Sequence, residues 1–161
     1  MQQLEGFQYA TELYPNMGYY TIKLSPACQY MTTIVTEFEK FKYNRLPLGM
    51  WASENIFHAK VDELLGNIEA VKTYIDDILV LGKDSFEKYI EQLRIIFGRL
   101  RAAGLKVNAP KCSIGLDEIP YLVYGITREG IKPNPKKVQG IMDLSRPSTT
   151  TEVRALIGIF R

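Results

Sequence analysis

Lys72-Thr73-Tyr74-Ile75-Asp76-Asp77-Ile78-Leu79-Val80-Leu81 sets two adjacent carboxylates between β-branched and apolar residues. Val71, Thr73, Tyr74 and Ile75 lead in, and Ile78, Leu79, Val80 and Leu81 lead out. Both flanks have the composition of short, largely buried strands, and a tight hairpin is expected to turn at Asp76-Asp77. Two acids at such a tip repel each other, and beside apolar strands each loses hydration. A bound divalent cation relieves both costs. The plain alternative is a solvated turn, because Asp is a common turn former.

Working outward, the strongest helix follows this hairpin. Asp84 can cap it and Glu87 completes a capping-box-like start; Phe86, Tyr89, Ile90, Leu93, Ile96, Phe97 and Leu100 form its apolar stripe, and Gly104 stops it. Before the hairpin, Ser53 can cap a helix whose Ile56, Phe57, Val61, Leu64 and Leu65 share a face, and Gly66 ends it. Further upstream, Phe7 to Leu13, Gly18 to Leu24, Tyr30 to Thr36 and Phe38 to Leu46 have the make-up of extended stretches. Downstream, Leu105-Lys106-Val107 is a brief strand, and Cys112 to Ile114 is expected to pair with Tyr121 to Thr127. Arg128-Glu129-Gly130 turns the chain. Pro135 opens a short helix through Leu144, and a last helix starts near Thr151. Antiparallel strands followed by helices predict an α+β fold, a sheet covered on one face.

The totals are those of one ordinary globular domain: 161 residues, 46% hydrophobic and 24% charged. A net charge of +2 does not by itself argue for nucleic acid. Arg99, Arg101, Lys106 and Lys111 fall in a run free of acids, which suits either a phosphate-facing strip or a solvated face. Cys28 and Cys112 are far apart, so neither a zinc site nor a disulfide framework is indicated, and a reduced, intracellular setting is expected. No apolar run has the length to span a bilayer, and Met1 to Leu13 lacks the basic-then-apolar order of a signal peptide.

From Leu4 to Phe160 the chain resembles the reverse transcriptase of gypsy-like LTR retrotransposons. Several blocks stand in the family's order. Tyr9-Ala10-Thr11 through Gly18-Tyr19-Tyr20 is similar to the first palm strand. Arg45-Leu46-Pro47-Leu48-Gly49 with Phe57 resembles the loop and helix that position template and nucleotide. Tyr74-Ile75-Asp76-Asp77 resembles the catalytic box (here YIDD). Gly104-Leu105-Lys106 with Lys111-Cys112 resembles the segment after it, and Tyr121-Leu122 the primer-grip hairpin. Gly130-Ile131-Lys132-Pro133 and Thr151 to Gly158 are similar to the linker and the beginning of the thumb. The resemblance implies a polymerase palm over residues 1–127, with fingers mostly absent, and a linker with the start of a helical thumb over 128–161.

It also implies template-directed addition of deoxynucleotides to a primer. Two magnesium (or manganese) ions about 3.5–4 Å apart would stabilise the attacking and leaving oxygens. Of the family's three acids, the tip pair is Asp76 and Asp77, as catalytic residues and metal ligands. The strand acid falls at position 14, which is Tyr14. A phenol with a pKa near ~10 is a poor magnesium ligand, so weakened metal binding and a largely inactive chain are expected. Pro15 beside it lacks the amide a central strand would donate. Glu12 faces the same side, but its Cα lies roughly 6.5–7 Å upstream, too far for full rescue.

Tyr19 corresponds to the ring that packs under the incoming sugar, or is simply core. Gly49 would let the backbone approach the nucleotide, or is an ordinary loop glycine. Lys111 corresponds to a proton donor for the leaving pyrophosphate, against the commoner role of an exposed lysine, with Lys106 a weaker candidate. Trp51 is expected half-buried and His58 structural. Glu39, Glu54 and Val123 stand where the family has Gly, Pro and Gly. Primer-template nucleic acid and deoxynucleotides are the implied partners, no membrane is, and open apolar palm faces predict self-association. The alternative is a non-catalytic, retroelement-derived domain that binds nucleic acid or a protein partner.

Overall fold

The computed structural model describes residues 6–121, 124–133, 135–143 and 146–159. In chain order the elements are β1 (Tyr9–Leu13), β2 (Pro15–Asn16), α1 (Pro26–Gln29), β3 (Ile34–Val35), β4 (Lys40–Phe41), α2 (Ser53–Leu65), β5 (Val71–Tyr74), β6 (Asp77–Gly82), α3 (Phe86–Ala102), β7 (Lys106–Val107), β8 (Ser113–Leu116), β9 (Glu118–Tyr121), β10 (Tyr124–Thr127), β11 (Gly130–Pro133), α4 (Pro135–Met142) and α5 (Thr150–Ile159).

The central sheet is antiparallel with strand order β5-β6-β1-β8. Its two middle strands are buried on both sides, because alternate residues serve different cores. Leu13, Ile78 and Val80 join Phe57, Val61 and Leu65 of α2 and Tyr89, Leu93, Ile96 and Leu100 of α3. Ala10, Leu79 and Leu81 face the other way and join Phe7, Ile119 and Ile126. The helices therefore cover one face, while the three-stranded sheet β11-β10-β9 packs against part of the other. Each fully buried Leu, Ile or Phe here contributes about 1.5–3 kcal/mol of transfer free energy.

α3 anchors the helical layer. Ser85 caps it, its Oγ accepting from the Lys88 amide at 3.4 Å. Asp84 is not the cap; it pairs with Lys88 at 3.5 Å instead. Tyr89, Leu93, Ile96 and Leu100 recur at spacings of four, three and four, which keeps them on the sheet side. Gly104, at φ 71, ends the helix and lets the Leu105 amide reach the Leu100 carbonyl at 2.9 Å. Gly82 lets α3 approach β6 closely, since a Cβ there would meet Tyr89 Cδ2 at 2.6 Å.

Several sequence expectations are corrected. Gly18–Thr21 is a 3₁₀ turn rather than an extended stretch, because Tyr19 is drawn under α2 to pack on Phe57. Within residues 30–36 only Ile34–Val35 is a strand, and within 38–46 only Lys40–Phe41. Their β propensity is spent on a short, exposed hairpin. Ser53 is the first residue of α2 and not its cap; its Oγ donates to the Pro47 carbonyl at 2.6 Å and ties down the preceding loop. Ile56, expected on the buried face, is exposed. Ser113–Leu116 pairs with β1, whose free edge would otherwise be unsatisfied, and β10 takes β9 and β11 as neighbours. Leu4, Glu5, Leu122, Val123, Leu144 and Phe160 lie outside the described residues.

Candidate active site

Tyr74 pairs with Asp77 across β5 and β6, so the two loop residues of the hairpin are Ile75 and Asp76. The turn thus sits one residue earlier than Asp76-Asp77. That register is imposed by the strand that follows: it sends Ile78 and Val80 to the helices and puts Asp77 on the opposite face with Leu79. Ile75 occupies the left-handed region at φ 54, an uncommon place for a β-branched residue.

The register of β1 against β6 runs to Leu13 opposite Ile78, and one further step brings Tyr14 level with Asp77. Glu12, Tyr14 and Asp77 therefore share the face that points away from α2 and α3. Asp77 and Tyr14 are half-buried, Asp76 is exposed, and Glu12 is only 3% exposed. The Tyr14 hydroxyl and the Glu12 carboxylate are close enough to influence each other's ionisation.

Tyr14, Glu12 and Asp77 are each held away from ionisation. Burial, the hydrogen bond to Glu12, and the charges of Glu12, Asp77 and Asp76 all push the Tyr14 phenol up. Burial raises Glu12; the Tyr14 hydrogen bond opposes this, and the Asp77 charge adds to it. Burial and the Asp76 charge raise Asp77. Among the described residues, no group of three or more His, Cys, Asp or Glu side chains converges on a point that could hold a metal ion.

Tyr19 lies within reach of the Asp76 charge. It is buried and stacked on Phe57, with ring centroids 4.7 Å apart and planes 28° apart. Burial first, then the Asp76 and Glu54 charges, raise its phenol. Gly18 beneath it is required by the Phe57 ring, whose Cε2 an added Cβ would meet at 2.7 Å. Gly49 is exposed at φ 86, with open space where a Cβ would stand. Lys111 is exposed at the end of the 3₁₀ turn Ala109–Lys111, and Lys106 is exposed on β7.

Trp51 is 93% exposed rather than half-buried, because it lies in the turn pushed outward between Pro47 and α2. Arg99 is half-exposed, and part of its guanidinium is engaged within the protein. Its guanidinium donates to the Leu64 carbonyl at 2.9 Å and to Asn67, joining α3 to the end of α2. His58 is half-buried, and its Nδ1 finds no hydrogen-bond partner among the described residues.

Two contacts had no signal in the sequence. The Tyr14 amide donates to Cys112 Sγ at 3.4 Å, and the Asn108 amide donates to the Tyr14 carbonyl at 2.8 Å. Only the pairing of distant strands reveals them.

An acid-tipped hairpin beside β1, backed by two helices, is the arrangement the sequence led one to look for, and residues 1–154 match the family model of reverse transcriptase (RNA-dependent DNA polymerase). The chain belongs to the reverse transcriptase family. It is 29% identical over 161 residues to the retrovirus-related Pol polyprotein from transposon opus of Drosophila melanogaster, covering 99% of this chain and 16% of that polyprotein. It is 28% identical over 152 residues to the Pro-Pol polyprotein of simian foamy virus type 1, covering 94% of this chain and 13% of the relative. The solved foamy viral protease-reverse transcriptase dRH in complex with double-stranded DNA superposes with a TM-score of 0.87 at 25% identity, over 96% of this chain and 27% of that one. The chain thus spans less than a fifth of the length of these two polyproteins, and its fold is that of a polymerase palm.

Proposed function

We propose that residues 1–127 are a reverse-transcriptase palm, followed by a linker and the start of a thumb, in which nucleotidyl transfer is lost or nearly so and binding to primer-template nucleic acid persists. The observation that carries the reading is the neighbourhood of position 14: a phenol sits level with Asp77, where the family's third acid belongs, and interacts with Glu12. In that family two divalent ions supply the charge stabilisation for the transfer. The donors present do not fit a two-ion site. Asp76 and Asp77 supply carboxylates, Tyr14 supplies a phenol that resists ionisation, and Glu12 is buried and engaged. Magnesium is commonly held by one or two carboxylates together with substrate phosphates, so Asp76 and Asp77 suffice for one ion but leave no further carboxylate to share with a second.

The nucleic-acid part of the reading is supported by likeness to a foamy viral enzyme solved with double-stranded DNA. Exposed Trp51, Phe38, Met31 and Val35 suit self-association or a missing neighbour. An intracellular setting belongs to the same reading.

Two assays test it on the full chain. Filter binding of an annealed primer-template should show affinity that falls as salt rises. Primer extension with magnesium or manganese should show no product. Extension by the native chain that Asp76→Asn abolishes would overturn the loss of catalysis, and salt-independent or absent binding would overturn the nucleic-acid role.

A further inference from the structure

Residues 106–116 run alongside the first strand as one interrupted ladder. Glu12 is level with Ser113 and Pro15 with Val107, so three steps on one side answer to six on the other. The three excess residues are Ala109–Lys111, wound into a 3₁₀ turn. The turn closes on itself, with the Lys111 and Cys112 amides both donating to the Asn108 carbonyl, at 2.9 and 3.1 Å. It is an enlarged bulge, and bulges beside functional sites commonly re-aim the chain there.

This bulge straddles Tyr14. On one side the Asn108 amide donates to the Tyr14 carbonyl at 2.8 Å. On the other, the partner strand has turned away, so the Tyr14 amide has no carbonyl to meet and donates to Cys112 Sγ at 3.4 Å. Pro15, next in the chain, has no amide to offer. The thiol thus takes the place of the missing rung at the last amide before the strand changes partners. Cys112 is half-buried and packs against the helical core, so its sulfur is held rather than free to swing.

We infer that Cys112 is a positioning residue for position 14: its thiol fixes the backbone there and couples it to the bulge that ends in Lys111. The inference rests on the reading of position 14 as the place of a metal-binding acid. It goes beyond that reading in assigning the cysteine a task.

The test uses the full chain, isotopically labelled, with amide exchange followed by NMR. Cys112→Ala should speed exchange of the Tyr14 amide about fivefold, the worth of one ordinary hydrogen bond, while the Val80 amide is unchanged. Cys112→Ser, which restores an acceptor, should recover most of the protection. Unchanged Tyr14 exchange in Cys112→Ala overturns the inference. If Cys112→Ala also loosens Val80, Cys112→Ser decides: retained Tyr14 protection supports the inference, and lost protection with Val80 intact overturns it. A second arm measures Mn2+ affinity by EPR in Tyr14→Asp, with and without Cys112→Ala. Several-fold weaker binding in the double variant is expected, and equal binding overturns the positioning role. Should Tyr14→Asp bind no Mn2+ at all, the metal-site reading of position 14 fails, while the exchange arm still decides the hydrogen bond.

Discussion

Tyr14 and Glu12, two residues apart on one face of the strand, interact so that the phenol keeps its proton and the Glu12 carboxylate is favoured. On the proposed reading, in which Tyr14 stands where the family places an acid, this interaction also engages the acid nearest to it along the strand. Tyr14→Asp should bind Mn2+ measurably more tightly than the native chain, and Tyr14→Phe should not. In Tyr14→Phe the Glu12 carboxyl loses the hydrogen bond that opposes its rise, so its titration, followed by carbon NMR, should move to higher pH.

Asp77 predicts a pH dependence of stability. Burial and the charge of Asp76 make it hold its proton more tightly in the folded than in the unfolded chain. Its favourable contribution is fully present below the ordinary carboxylate pKa of about 3.9 and is lost as pH rises through the raised folded value. Asp77→Asn removes the charge that is costly at neutral pH. Thermal melts should show the variant more stable than the native chain at pH 7, with the difference closing towards pH 4.

Ile75 should be replaceable at a gain. A left-handed backbone costs a non-glycine residue about 1–2 kcal/mol, least for Asn, whose side chain bonds locally. Ile75→Asn should stabilise the chain by roughly 1 kcal/mol in urea denaturation. A loss of stability would mean that the half-buried isoleucine side chain contributes more than its backbone strain costs.

Gly18→Ala should do the opposite. The added Cβ runs into the Phe57 ring, which is itself stacked on Tyr19. Overpacking of this kind costs about 1–3 kcal/mol, read as a lower urea midpoint with unchanged slope. Tyr19 fluorescence in the native baseline should change as its stacking partner is displaced.

The large elements were legible because each had two agreeing signals. α3 carried both a long apolar stripe and a stop at Gly104, and the β5–β6 hairpin carried β-branched arms around a polar tip. The α+β architecture and the family followed from these and from the order of the motifs. Legibility failed where tertiary packing overrides local preference. Tyr19-Tyr20-Thr21 has strand-forming residues, but burial of Tyr19 against Phe57 winds them into a turn. The hairpin apex lies one residue before Asp76-Asp77, although that pair has the better turn chemistry. The facing of Ile78 and Val80 towards the helices decided the register instead. At the candidate site, the shared face of Glu12 and Tyr14 was visible from strand periodicity. The roles of Cys112 and Asn108 were not, since they depend on which distant segment lies alongside β1.

The three-residue excess between β7 and β8 is odd, and a strand's two sides alternate with every residue. Six steps of straight strand would return Ser113 to the face of Val107, yet their partners Glu12 and Pro15, three steps apart, face opposite ways. The small turn is therefore a phase corrector: it supplies the half-period that lets a single run of chain keep correct facing against two successive neighbours.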